Sequence, residues 1–375
     1  MPVSQVDGQT GSVLTVPVGA EPVLSIGVAQ GDPAYEMFKI DGAVRLTDGS
    51  IVAVVAGHLE VRKFDADGTH LWSSGRAGQG PGEFTLPVLL PTCTSDDEVV
   101  IHDRAVRRIT LLDAEDGKFR DDYRLDTADK TPYSRIQCSP SGRMVFTTYG
   151  RGGRERAEGP YRWRMGLHFI DGEDSRLGEI RDGFLGTERV VYYQGGRPFT
   201  EGPRTWGRDP VFAVTDDGVW FGTADEAALE LVDWDGTIQN RIQWEGRDLT
   251  VADENLEAYR NAIRRRYEAE GGDWRSKYER RLARDLPHLP STFPAYADIK
   301  LIGGQVWVKE YWRPGETEQH WAGFAGDGTA LGKMVLPAHL NVQQFGLDGD
   351  WLLAITTDRL GVERLVVHEL AREEG

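Results

Sequence analysis

The chain has 375 residues, 43 Lys and Arg against 60 Asp and Glu, a formal net charge of -17 and a pI near 5.0. This balance argues against the concentrated positive face that nucleic acid or anionic lipid requires. No apolar run reaches the ~20 residues of a membrane-crossing helix, and Met1-Pro-Val-Ser-Gln-Val-Asp-Gly8 holds no charged region followed by an apolar core, so no export signal is expected. Two cysteines, Cys93 and Cys138, are too few for a disulfide framework or a thiolate zinc site.

In chain order, β-type segments come first at residues 13–16 and 22–27. A strand, turn, strand, loop, strand, turn, strand cycle then fills residues 46–72, with Asp-Gly turns at Asp48-Gly49 and Asp67-Gly68. The stretch Arg76-Ala-Gly-Gln-Gly-Pro-Gly-Glu-Phe-Thr-Leu-Pro87 joins this copy to the next, its glycines and proline forcing a compact turn. Further copies cover 95–125, 139–172, 215–237, 302–329 and 347–370. Cys93 and Cys138 precede Val99 and Met144 by the same interval, an equivalence that predicts core packing. Sheets this small bury both faces by stacking round an axis. The expectation is an all-β, six-bladed β-propeller of four-stranded antiparallel blades, one domain over 1–375. The last copy lacks a strand, and residues 22–27 are expected to supply it and close the ring.

Between the fourth and fifth copies, a helical insertion over 246–295 breaks the strand period. Leu256, Tyr259, Ile263 and Tyr267, then Trp274, Tyr278, Leu282 and Leu286, recur at helical spacing. A Thr250–Asp253 capping pattern, Gly271-Gly272, an Asp273 cap and Pro287 set the expected limits. Other added length lies at 149–164, 181–209 and 311–321, expected as loops gathered on one face. Arginines and aromatics there are candidate binding residues: Arg151, Arg154, Arg156, Tyr161, Arg162, Trp163, Arg164, Tyr192, Tyr193, Arg204, Trp206, Arg264, Arg265, Tyr311, Trp312 and His320. They suit an anionic ligand or an acidic protein partner; solvated or paired arginines are the competing reading.

Gly78-Gln-Gly-Pro-Gly-Glu-Phe-Thr-Leu-Pro87, with Asp96-Asp-Glu-Val-Val-Ile-His-Asp103 and Arg108-Ile-Thr-Leu-Leu-Asp113, resembles an NHL-type repeat. The whole chain resembles the bacterial six-bladed β-propellers related to that family, although later joints lack the Gly-Pro-Gly-Glu-Phe run. The resemblance implies a scaffold presenting loops to a partner, and placement in the periplasm or cell envelope.

Catalytic motifs are weak, with no Gly-x-Ser-x-Gly elbow, His-Glu-x-x-His pair or phosphate loop. Asp65-Ala-Asp-Gly68, Asp233-Trp-Asp-Gly236 and Gly326-Asp-Gly328 complete no calcium loop and read as hairpins. The leading expectation is a non-enzymatic binding module without a cofactor. One alternative is a calcium-dependent lactonase or esterase at the central channel; by similarity to gluconolactonase- and paraoxonase-type propellers, its ligands would lie near Glu36, Asp209, Asp298 and Asn341. Another is a structural subunit of an envelope assembly.

Overall fold

The carboxylates of the Asp-containing turns are occupied by their own backbone. Asp65 accepts the N–H groups of Asp67 and Thr69 at 3.0 and 2.7 Å, and Asp233 those of Asp235 and Thr237 at 3.0 and 2.8 Å. Such turns fold successive strands back antiparallel. The computed structural model describes residues 4–6, 12–16, 21–124, 133–149, 158–171, 176–194, 197–346 and 348–373.

These residues form six sheets, numbered I to VI from the first full meander. Their strand sets begin at Ile40–Arg45, Pro87–Leu89, Tyr133–Cys138, Val211–Val214, Tyr296–Ile302 and Asn341–Phe345. Apolar clusters separate successive sheets: Val52, Val54 and Phe84 with Val99 between I and II, and Val145 and Leu167 with Phe212 and Phe221 between III and IV. Another joins sheet VI to sheet I through Leu353, Leu365, Ile51 and Phe64. Polar ties reinforce the stack, with Thr47 donating to Asp96 and the Ser141 N–H to Asp216 at 2.9 Å. The architecture is a β-propeller.

The N-terminal segment lengthens three sheets. Ser4–Val6 runs parallel to Ile238–Trp244 of sheet IV, Ser12–Thr15 parallel to Ala330–Pro337 of sheet V, and Leu24–Ile26 antiparallel to Glu363–Glu369 of sheet VI. Ala371–Glu373, beyond the last repeat copy, is a short strand beside Ser12–Thr15.

The joint between sheets I and II is stitched from all sides. Glu83 accepts from the Gly80 N–H at 2.8 Å and Arg76 Nε at 2.9 Å, while buried Asp103 accepts the Thr85 and Leu86 N–H groups. Gly78 has φ +152°, and a Cβ there would stand 2.0 Å from a Glu83 carboxylate oxygen. Only glycine fits that approach.

Cys93 and Cys138 pack in the cluster between sheets II and III as expected, but they are joined as a disulfide, with 4.9 Å between Cα atoms. Equivalent positions in neighbouring repeats become spatial neighbours once the sheets stack, which composition alone does not reveal.

Helix α1 spans Asp253–Glu270 and α2 spans Trp274–Asp285. The cap of α1 differs from the expected pattern: Ala252 is the N-cap, its N–H donating to Asn255 Oδ1 at 3.0 Å, while the Thr250 hydroxyl turns to Asp248. Asp273 caps α2 as expected, accepting from the Ser276 N–H. Leu256, Tyr259, Ile263, Leu282 and Leu286 pack around Trp206 and Phe293. Among the described residues, no helix is long and apolar enough to cross a membrane.

Burial, followed by the Arg104 charge, lowers the His102 imidazole to about 4. In the unfolded chain it titrates near ~6.5. The unfolded state therefore binds the proton first, and the stability that neutral His102 confers is present above that value and lost as pH falls towards 4. Chemical denaturation between pH 7 and 4 should show declining stability, and His102→Gln should flatten the decline. A slope unchanged in the variant would reject His102 as its source.

Candidate functional site

The segments expected as loops at 149–164 and 181–209 are largely strand. Gly159–Asp171 pairs with Arg176–Gln194, which pairs in turn with Arg197–Pro203, forming an arm that continues sheet III. Val190 and Val191 are buried and hold its register. Register shifts between Arg162 and Arg164 re-aim these arginines.

Arg162 Nη1 meets both Asp225 carboxylate oxygens, at 2.7 and 2.8 Å; Arg208 Nε approaches at 3.2 Å and the Thr223 hydroxyl at 2.6 Å. Burial alone would raise the Asp225 carboxyl, but the Arg162 and Thr223 hydrogen bonds with the nearby guanidinium charges outweigh it and hold the group below the usual carboxylate range. Behind this clamp, Arg204 and Arg208 pair with Glu188 at 3.3 Å each and reach the end of the helical insertion through the His288 carbonyl and Thr292 hydroxyl.

In front of Asp225 lies a cleft of about 420 Å³ between sheets III and IV, bounded also by Tyr296 of sheet V. On its wall Arg181 pairs with Glu230 at 2.6 Å, and Arg241 with Glu226 at 2.5 Å and Glu230 at 3.6 Å. Tyr296 is buried, its hydroxyl accepting from the Ala224 N–H and donating to the Ala228 carbonyl; burial pushes the phenol above its ordinary value. Two lining groups of opposite charge, Arg164 and Asp182, form no ion pair among the described residues. Among the described residues Arg164 donates only to the Gly183 carbonyl, at 2.7 Å. The cleft thus offers an exposed carboxylate and an unneutralised guanidinium on one strand pair.

Of the residues singled out from the sequence, Arg162 and Arg164 come together at this cleft. Arg151, Arg154 and Arg156 lie outside the described residues. Tyr161 and Trp163 bond each other and Tyr161 donates to Glu201. Tyr193 is half-buried on the arm, and Tyr192 meets His288 with Arg284 above its ring. Arg204, Trp206 and Tyr311 serve the packing of the insertion, Trp206 lying 5.3 Å from Tyr259 and Tyr311 stacking on Phe293 at 5.8 Å. Arg264 pairs loosely with Glu268 on exposed α1, where Arg265 also lies. Trp312 bonds the Glu316 carbonyl, and His320 is half-buried on Glu318–Phe324. Arg181 and Asp182 lie within the 181–209 segment but were not singled out there, and Asp225, Glu226, Glu230, Arg241 and Tyr296 fall outside every stretch of added length. Polar Glu230 within the apolar run Ala228–Val232 was the available signal.

The four candidate calcium ligands, Glu36, Asp209, Asp298 and Asn341, lie in separate segments of the chain. Asp209 pairs with Arg135 and accepts from Thr187; Asp298 faces Lys300 at 3.6 Å; Glu36 accepts from the Gly31 N–H; Asn341 is exposed. Among the described residues, no group of three or more His, Cys, Asp or Glu is placed to hold a cation.

No family model matches the chain, and no curated protein matches it in sequence. Similar solved structures include a member of the duf4221 family from Bacteroides vulgatus, with TM-score 0.51, 10% identity, and coverage of 94% of this chain and 97% of that one. A Bacteroides fragilis protein described as exported has TM-score 0.48, 13% identity, and coverage of 92% and 94%. A Xanthomonas campestris gluconolactonase has TM-score 0.45, 13% identity, and coverage of 97% and 99%. At these identities the likeness is one of fold. The expectation of a non-enzymatic scaffold is corrected and set aside.

Proposed function

We propose that this β-propeller is a hydrolase of the lactonase or esterase class working in the cleft between sheets III and IV. Six blades around one axis, NHL-related in their first joint and closed by Leu24–Ile26 in sheet VI, are part of the same reading. It is supported by the contact of sheet VI with sheet I. The observation that carries the activity is the pair Asp182 and Arg164, a carboxylate and a guanidinium without ion-pair partners among the described residues, both lining a cleft large enough for a small ester.

Asp182 takes a proton from water as the water oxygen attacks the carbonyl carbon. Arg164 holds the oxygen on which negative charge develops. Collapse of the tetrahedral adduct breaks the ring or ester C–O bond; the departing oxygen takes the proton back and the acid is released. Arg162 and Arg208, by keeping Asp225 ionised and in place, shape the wall rather than react. The Cys93–Cys138 disulfide supports placement in an oxidising compartment such as the periplasm.

A panel of lactones and aryl esters tests the reading. Turnover should fall on the order of 100-fold in Asp182→Asn and in Arg164→Met. No hydrolysis of any panel member rejects the class, whereas full turnover by both variants rejects the cleft as its site.

A further inference from the structure

The cleft between sheets III and IV holds a further guanidinium that ester hydrolysis as described leaves unused. Arg241 lines it from Ile238–Trp244 of sheet IV, whereas Arg164 lines it from Gly159–Asp171 of sheet III, so the two cations stand on different walls. The pairing of Arg241 is loose. Its contact with Glu230, directly opposite on the ladder, is 3.6 Å and longer than a hydrogen bond. The close contact, 2.5 Å to Glu226, is made with a carboxylate that is 64% exposed. Exposed ion pairs contribute little to stability, so a competing carboxylate can replace Glu226 at small cost. Arg241 Nε is buried and has no hydrogen-bond partner among the described residues, so the fold does not spend the whole of this fork. Arg181, by contrast, is held by Glu230 at 2.6 Å and lies over the Phe221 ring.

Two of the lining carboxylates do not meet an incoming anion as bare charges. Asp225 faces Arg162 and Arg208, and Glu230 faces Arg181 and Arg241. The lining also has an apolar part, where Phe184 and Phe221 meet edge to face at 4.6 Å and Leu185 is exposed. An apolar surface with a few placed polar groups is the usual make-up of a small-molecule site.

From these contacts we infer, resting on the hydrolase reading for the reacting end alone, that Arg241 is a carboxylate-binding subsite. The substrate of the cleft is then an ester or lactone that carries a second carboxylate on a short carbon chain. Arg164 and Asp182 serve the carbonyl and the water, while the far carboxylate takes the place of Glu226 on Arg241 as a charge-assisted pair. Arg241 makes and breaks no covalent bond; it orients the chain.

Glutarate, which has two carboxylates and no ester bond, is titrated calorimetrically into the folded protein at neutral pH. It should bind the wild type, and bind Arg241→Met about 10-fold more weakly. Arg241→Lys, which keeps the charge without the fork, should fall between them. Glu226→Gln removes the competing carboxylate and should tighten binding several-fold, a gain that a damaged fold would not produce. In turnover, para-nitrophenyl hydrogen glutarate should be preferred to para-nitrophenyl pentanoate, and the ratio of their kcat/KM values should fall about 10-fold in Arg241→Met. No glutarate binding, binding indifferent to the Arg241 and Glu226 substitutions, or equal kcat/KM for the two esters overturns the subsite. Hydrolysis of neither ester, with glutarate still held through Arg241, overturns the hydrolase reading and supports the subsite alone.

Discussion

Replacing Cys93 and Cys138 together by serine is expected to cost about 4 kcal/mol of stability, from the chain entropy released when a 45-residue loop is no longer closed. The bond joins the short 3-10 turn Pro91–Cys93 to the end of Tyr133–Cys138, and so fastens sheet II to sheet III. The Cys138 N–H also donates to the Thr92 hydroxyl at 2.9 Å, a contact that survives the substitution. The loss therefore isolates the covalent link. Denaturant midpoints should fall in the double variant, and the wild type under reductant should match it; a change below ~1 kcal/mol would show that packing alone holds the two sheets.

Phe84→Ala should destabilise the fold by about 3–5 kcal/mol. Its ring is 0% exposed in the cluster between sheets I and II, beside Gly75, whose added Cβ would meet the ring at 2.6 Å. Collapse into the resulting void is resisted by the surrounding joint, where Arg108 holds the Gln79 and Glu83 carbonyls and Asp103 holds the next two amides. Phe84→Leu keeps most of the volume and should cost under ~1.5 kcal/mol. Equal losses in the two variants would mean that the cavity is not the cause.

The Asp-Gly turns, the apolar runs and the Gly78–Phe84 joint were legible because each depends on local chemistry. The helical stripes were legible for the same reason. The arm of sheet III was not: shifts at Arg162/Arg164, Met165/Leu167 and Tyr192/Tyr193 interrupt the period of two by which a strand is recognised. The cleft was missed for a different reason. Asp225 and Glu226 sit in a short turn, and their significance comes from Arg162, brought from sheet III by stacking, together with Arg208 and Arg241 at the edges of sheet IV itself. Arg135 on Asp209 and Lys300 on Asp298 are further pairings of the candidate carboxylates that the sequence did not show.

The strands contributed by the chain's beginning impose an order on biosynthesis. Leu24 finds its ladder partner in Val367, and Ser12–Thr15 lies between Ala330–Pro337 and Ala371–Glu373. These strands therefore stay unmatched in the nascent chain until their partners emerge: Ser4–Val6 waits for Ile238–Trp244, Ser12–Thr15 for Ala330–Pro337 and Leu24–Ile26 for Glu363–Glu369. Sheets I to III can assemble without these N-terminal strands, whereas IV, V and VI each gain theirs only after their own later strands have been made.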